Sequence, residues 1–245
     1  QVLVLDGVIQ VTERDEFSYQ EMLTHIPCFA HPCPKRVLIV GGGDGGILRE
    51  VARHSCVDAI DMCEIDPVVC EVSKRFEFST ATAFADPRLN LVHEDAAEFV
   101  KRDGNGNYDV IIVDSSDPVG PAETLFQPAF YEHMRASLAP GGVVATQGEC
   151  MWLHLPLIKT VLTSCAGSFA AVDYAFTTIP TYPCGQIGFV LGSNSPSRDL
   201  SVPVREPSAE MAEHLRYYSS AVHRAAFVLP AFAEKEIRGA RRRAV

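Results

Sequence analysis

No uninterrupted apolar run in the 245-residue chain approaches the ~18 residues that a membrane-spanning helix needs, which sets aside a membrane-spanning class. Positive charge is also scarce. Lys and Arg number 21 against 31 Asp and Glu, for a formal net charge of −10. Such a field repels nucleic acid and anionic membrane and attracts small cations. The basic cluster of Arg238, Arg241, Arg242 and Arg243 reads as a solvated tail rather than a nucleic-acid patch. The eight cysteines (28, 33, 56, 63, 70, 150, 165, 184) contain no C-x-x-C pair, and several lie inside apolar segments. That pattern excludes a disulfide scaffold and suits the reduced thiols of a cytoplasmic protein. Hydrophobic residues at 47% and charged residues at 21% exclude disorder and a collagen-like chain. The length suits one main core with small appendages.

The pattern along the chain is β-ribbon first, then strands alternating with helices. Val2–Leu5 and Val8–Val11 flank Asp6-Gly7, a type I′ hairpin signal. The chain opens on Gln1 inside this strand pattern, so further sequence is expected upstream, with residues 1–14 as a β-ribbon ahead of a main unit over 15–245. Helical spacing runs from Phe17 to about Phe29, in a helix expected to be started by Asp15 or Glu16 and ended around Pro27, with Pro32 and Pro34 marking a linker. Strands follow at Val37–Val40, Ala59–Cys63, Leu89–Val92, Val110–Val113, Val143–Thr146, about Ala170–Phe176, and Ile187–Leu191. Helices are expected between them at Gly46–His54, Pro67–Phe78, Ala96–Arg102, Pro128–Leu138 and Leu153–Cys165. This alternation implies βαβ crossovers and a mostly parallel sheet. Only a short segment separates the last two strands, so that pair is expected to be antiparallel. The fold class is therefore α/β: a Rossmann-like, methyltransferase-type, seven-stranded doubly wound sheet behind a small β-ribbon. Helices over Ala209–Arg238 are expected to pack outside.

Gly41-Gly42-Gly43-Asp44-Gly45-Gly46 follows the first parallel strand and opens a helix, and its Gly41, Gly43 and Gly46 satisfy G-x-G-x-x-G. Glu64, at the end of the next strand, stands where a carboxylate accepts hydrogen bonds from ribose hydroxyls. Together these point to nucleoside binding. No G-K-[ST] ending is present, which disfavours a nucleoside triphosphate. Asp44 disfavours an anion altogether, since a carboxylate at a helix start reverses that position's usual preference for phosphate. Asp44 can equally serve as an N-cap, and the two roles are compatible. Asp114 and Asp117 end the fourth strand at the carboxyl edge of the sheet, ahead of a candidate lid over Pro118, Gly120 and Pro121. With Asp44, Glu64 and Asp95, the strand-end loops hold five acids and almost no base, a site for a cation. Gln147, at the end of the fifth strand, is also placed to reach that ligand. Trp152 and His154 read as core packing, and His223 and Arg224 as packing and capping groups. His25, Cys28, His31 and Cys33 have a metal-like spacing, but prolines interrupt it and they read as helix-end and linker residues, so no metal is expected.

Seven segments, in order along nearly the whole chain, resemble the spermidine synthases, a family of polyamine aminopropyltransferases: residues 15–22, the Gly41–Gly46 loop, Cys63-Glu64-Ile65-Asp66, Asp114–Pro118, Gln147-Gly148-Glu149, Ile179–Pro183 and His223–Phe227. Members of that family move the aminopropyl group of decarboxylated S-adenosylmethionine onto putrescine, releasing spermidine, 5′-methylthioadenosine and a proton. The resemblance implies that Gln20, Asp44, Glu64, Asp95 and Ala96 line the donor site, and that Tyr19, Asp114, Asp117 and Tyr182 handle the diamine. It also implies a homodimer, no cofactor beyond the co-substrate donor, and that residues 1–14 are the remnant of a larger N-terminal β-hairpin domain ahead of a catalytic domain over 15–245. One departure is Ala96, where the family usually has glycine. On chemical grounds Asp114, assisted by Tyr19, is the group expected to take the proton from the attacking amine, with Asp117 and Tyr182 positioning the diamine. The alternatives are a putrescine N-methyltransferase using intact S-adenosylmethionine, whose carboxylate Asp44 would repel, a spermine synthase, and a non-catalytic nucleoside-binding homologue.

Overall fold

A computed structural model describes residues 1–102, 106–115, 125 and 127–242. The ribbon is formed by β1 (Val2–Leu5) and β2 (Val8–Thr12), and both turn residues, Asp6 and Gly7, have positive φ as a type I′ turn requires. It packs on the remainder through Leu3 and Val11 against Phe78. Helix α1 (Glu16–Ala30) follows, then β3 (Arg36–Gly41), α2 (Gly46–Ala52), β4 (Ala59–Cys63), α3 (Pro67–Arg75), β5 (Leu89–Val92), α4 (Ala96–Arg102) and β6 (Tyr108–Asp114). The second half runs through α5 (Pro128–Ser137), β7 (Leu138–Gln147), α6 (Met151–Ser168), β8 (Ala171–Thr178) and β9 (Gln186–Ser193), closing with the short helices α7 (Ala209–His214), α8 (Ser220–Ala225) and α9 (Ala231–Ile237).

The seven strands of the main sheet are ordered β5-β4-β3-β6-β7-β9-β8. β5, β4, β3, β6 and β7 pair in parallel, whereas β9 runs antiparallel to both of its neighbours, β7 and β8. The reversed strand is thus threaded into the sheet, one place in from the edge. The central strands are buried on both faces, and two apolar cores result. One lies under α1 and α2, and the other under α4, α5 and α6.

Four local expectations need correction. α1 does not stop at Pro27 but continues to Ala30, because Cys28, Phe29 and Ala30 are fully buried and packing holds the last turn past the ring. α6 begins at Met151 and kinks at His154, ahead of Pro156. That kink turns Trp152 outward. Its ring is 59% exposed, contacts Phe232 and hydrogen-bonds Gln186, so it is not core. The basic C-terminus is not simply a solvated tail. Arg241 is buried between Asp173 and Glu234, and Arg242 bridges by backbone to Val172, because those distant acids and the edge strand β8 offer it partners. Arg243 lies outside the described residues.

No helix among the described residues is long and apolar enough to cross a membrane.

Candidate active site

The parallel strands deliver their carboxyl ends to one edge. There stand the Gly41–Gly46 loop after β3, Glu64 after β4, Asp95 after β5, Asp114 at the end of β6 and Gln147 at the end of β7. β3 and β6 are neighbours whose following strands lie on opposite sides, which makes the crevice between them the switch point where ligands of such sheets bind. Gly41 and Asp114 face each other in register at that point. Gly41 has φ +79°, and a Cβ there would stand 2.1 Å from the Asp114 carbonyl oxygen, so only glycine lets the two strands meet this closely.

Helix α1 supplies the second wall. Tyr19 and Gln20 are buried on it, and each reaches a different acid. The Tyr19 hydroxyl donates to Asp114 Oδ1 at 2.5 Å, and Gln20 Nε2 donates to both oxygens of Asp44 at 3.2 Å. Asp44 Oδ1 also accepts the Gly46 amide at 2.7 Å, a short-range bond into the start of α2, whose N-cap is Gly45 and not Asp44 as the sequence allowed. Gly46 leaves room for this pairing, since a Cβ would come within 2.3 Å of the Gln20 amide carbon and displace that side chain. Glu64 Oε2 accepts the Gly43 amide at 3.0 Å and Oε1 accepts the Asp66 amide at 2.9 Å, which ties β4 to the glycine loop. Asp95 is exposed and caps α4 through Oδ1 and the Ala97 amide at 2.7 Å, with the neighbouring Ala96 buried behind it.

Of the remaining expected residues, Tyr182 lies between β8 and β9 and Gln147 ends β7. Tyr182 packs edge-on against Tyr19, with ring centroids 5.7 Å apart, and its hydroxyl donates to the Gln10 carbonyl at 2.7 Å, which joins the β8–β9 loop to the ribbon. Gln147 is buried, and its Oε1 has no hydrogen-bond partner among the described residues. Asp117 and the lid over Pro118, Gly120 and Pro121 lie outside the described residues. His25 and His31 diverge. His25 joins His54 and Glu50 in the interior, while His31 Nδ1 accepts the Cys33 amide. No cluster placed for a metal ion exists among the described residues.

Burial and crowding of like charges set the electrostatics. Burial, then the Asp44 carboxylate, push Asp114 up to about 7 against the lowering hydrogen bond from Tyr19. Asp44 is pushed up to about 6 by burial, opposed by the Gly46 amide. Glu64 is raised for the same reason, and Tyr19 is held well above the usual phenol range by burial and then by Asp114. The site is a pocket of carboxylates short of positive charge, and a cation entering it restores their ionisation.

The spermine/spermidine synthase domain matches residues 16–201. The spermidine synthase of Dictyostelium discoideum is 53% identical over 96% of this chain and 82% of that protein. That of Solanum lycopersicum is 51% identical over 97% of this chain and 71% of its own length. Among solved structures, a spermidine synthase in complex with the transition state analogue AdoDATO superposes with a TM-score of 0.89 at 36% identity, over 97% of this chain and 80% of that one. The spermidine synthase of Thermotoga maritima superposes at 0.85 with 35% identity and the same coverage of 97% and 80%. The chain belongs to the spermine/spermidine synthase family.

Within that family frame, one residue at the site carried no assignment from the sequence. Glu149 is buried two residues after Gln147 with φ +64°, a left-handed conformation that a non-glycine residue holds only when its surroundings impose it. Its carbonyl accepts the Tyr174 hydroxyl and the Gly188 amide, both at 2.8 Å, and its carboxylate meets His154 Nδ1 at 2.9 Å. The signal available beforehand was its place in the Gln147-Gly148-Glu149 segment.

Proposed function

We infer that the chain is a spermidine synthase: an aminopropyltransferase that moves the aminopropyl group of decarboxylated S-adenosylmethionine to putrescine, yielding spermidine, 5′-methylthioadenosine and a proton. The observation that carries this reading is the pair of carboxylates, Asp44 and Asp114, each held from α1 at the β3–β6 crevice, one by Gln20 and the other by Tyr19. In this reading Asp44 receives the ammonium of the donor's aminopropyl arm, Gly41 and Gly43 let the nucleoside approach backbone, Glu64 meets the ribose, and Asp95 and Ala96 border the base.

The reacting carbon is attached to a sulfonium, already a good leaving group. Chemistry therefore asks for a neutral amine aligned with that carbon. An alkylamine with a pKa of ~10.4 is free base in roughly one molecule per thousand at about pH 7.4, a shortfall of about 4 kcal/mol. Asp114, pushed up to about 7, is a stronger base than an ordinary carboxylate and lies beside Tyr19, so it is our choice for the acceptor of the amine's proton. Tyr19 keeps its own proton across the working range and orients that carboxylate. Asp117, Tyr182 and Gln147 position the diamine, and Gln147 brings a buried carbonyl oxygen in need of a donor. Holding the two reactants together supplies the larger share of the rate, ~7–11 kcal/mol in well-oriented systems.

Residues 15–245 form the catalytic unit in this reading, with the ribbon over 1–14 bracing Tyr182. The eight cysteines stand as free thiols, in keeping with a cytoplasmic enzyme. The homodimer that the resemblance implies belongs to the same reading and is measured by sedimentation. The deciding test is a mass-spectrometric product assay with putrescine and either decarboxylated or intact S-adenosylmethionine. Spermidine from the decarboxylated donor alone is expected. Methylputrescine from the intact donor would overturn the assignment of Asp44, and absence of either product would favour a binding protein.

A further inference from the structure

Behind Asp44 and Gln20 lies a buried charge network centred on Arg49. Arg49, four residues into α2, faces the first turn of α1, where its Nη2 and Nη1 donate to the two oxygens of Glu16 at 2.8 and 3.1 Å. Its Nε donates to Glu50 Oε1 at 2.7 Å and its Nη1 also reaches the Ser79 carbonyl at 3.3 Å. The side chains of Glu16, Glu50 and Arg49 are only 3%, 2% and 13% exposed. Glu50 extends the network to His25 Nε2 at 3.2 Å and Arg53 Nε at 2.9 Å.

Glu16 and Gln20 are four residues apart on α1, one turn along the same face. α1 therefore meets the start of α2 in two rungs, Gln20 on Asp44 and Glu16 on Arg49. A two-toothed guanidinium–carboxylate contact fixes direction as well as distance, which a single hydrogen bond does not.

We propose that Arg49 and Glu16 are positioning residues for the donor site: their fork holds Gln20 against Asp44, and their two charges bias in opposite directions the charge on Asp44 that receives the donor's ammonium group. This inference rests on the reading of Asp44 given above. The groups facing Asp44 are Glu16, Tyr19 and Gln20 from α1, Arg49 from α2, Cys70 from α3 and Asp114 from β6, with Thr80 bonded to its carbonyl. Among them Arg49 is the cation, and it favours ionised Asp44. Glu16 opposes ionisation.

The test is calorimetric titration of the full chain with decarboxylated S-adenosylmethionine and, separately, with its deamino analogue, the S-propyl sulfonium of 5′-methylthioadenosine, which keeps the sulfonium and lacks only the ammonium, between pH 5 and 8. Contacts common to both ligands cancel in the ratio of the two affinities. For the wild type that ratio is expected to rise with pH through the ionisation of Asp44, at about 6. Arg49→Met is expected to move the midpoint up by about one pH unit, and Glu16→Gln to move it down by a similar amount. Arg49→Lys keeps the charge and loses the fork, so its midpoint stays near the wild type while the affinity for the decarboxylated donor falls. A purely structural role moves no midpoint, and equal losses for both ligands with the midpoint fixed would overturn the proposal. So would shifts of the same sign in Arg49→Met and Glu16→Gln. Should Arg49→Met fail to fold, the sign of the Glu16→Gln shift decides alone. Failure of the underlying reading looks different: the wild type itself then binds neither ligand, or prefers the decarboxylated donor equally at every pH.

Discussion

Asp114 and Tyr19 form a hydrogen-bonded pair whose two members are asked for different things. In the proposed reaction the carboxylate takes a proton near neutral pH and the phenol keeps one. Burial serves both, because it raises the carboxylate and the phenol together. Asp114→Asn retains the shape and removes the base. Turnover with putrescine is expected to drop by at least 100-fold, while 5′-methylthioadenosine still raises the melting temperature as in the wild type. Unchanged turnover in that variant would remove Asp114 from the mechanism. With Asp114 as the proposed base, its ionised form is the active one and kcat/KM is expected to climb with pH through about 7, the value to which burial and Asp44 push this group.

At the scale of elements, the close meeting of β3 and β6 carries the site. Gly41→Ala introduces a methyl 2.1 Å from the Asp114 carbonyl at a left-handed backbone, whereas Gly7→Ala meets the same backbone conformation with nothing within 4 Å. Urea unfolding is expected to separate the two, with a loss above about 2 kcal/mol at Gly41 and one near 1 kcal/mol at Gly7. Equal losses would mean that conformation alone, not the approach of the strands, makes Gly41 necessary. Elements bounded by local chemistry were legible in the sequence: Ala59–Cys63, Leu89–Val92 and Ala96–Arg102 sit where their apolar runs and charge changes put them. So was the constellation at the strand ends, because a strand that leaves a parallel sheet must leave at that edge. What sequence could not reveal depends on partners far along the chain. Pro27 is overridden by the packing around Phe29, Arg241 is drawn inward by Asp173, and Trp152 is turned outward by a kink whose neighbour is Phe232. Likewise the motif places Glu149 beside Gln147, but only the bonds from Tyr174 and Gly188 reveal its imposed backbone.

Across the whole molecule, several buried groups oppose acid. His223 is fully buried between the Tyr218 hydroxyl and the Leu200 carbonyl, and burial pushes it down to about 4. The unfolded chain takes up this proton near pH 6.5 and the folded chain does not, so stability is expected to fall between pH 6.5 and 4, by about 3 kcal/mol from this residue. Buried His54 acts in the same direction. Glu50 differs: burial would raise it, but His25, Arg49 and Arg53 hold it down at about 2, so its contribution is intact above the ordinary carboxylate range and lost only as pH falls toward 2. Urea midpoints at pH 7.5, 5.5 and 4 check the first effect, and His223→Phe should flatten the slope between them. An equally steep slope in that variant would assign the acid sensitivity elsewhere.

The threading of β9 between β7 and β8 has a consequence for synthesis on the ribosome. When the chain has been made through residue 178, β7 and β8 are complete but have no strand between them, and both flanks of that gap offer unpaired backbone. Residues 186–193 must arrive last and enter between strands already made, and only then does Gln147 gain its neighbour Phe189. The acidic cleft is thus finished late, and a nascent chain halted short of residue 193 carries most of its apolar core together with two open sheet edges, the form most in need of a chaperone.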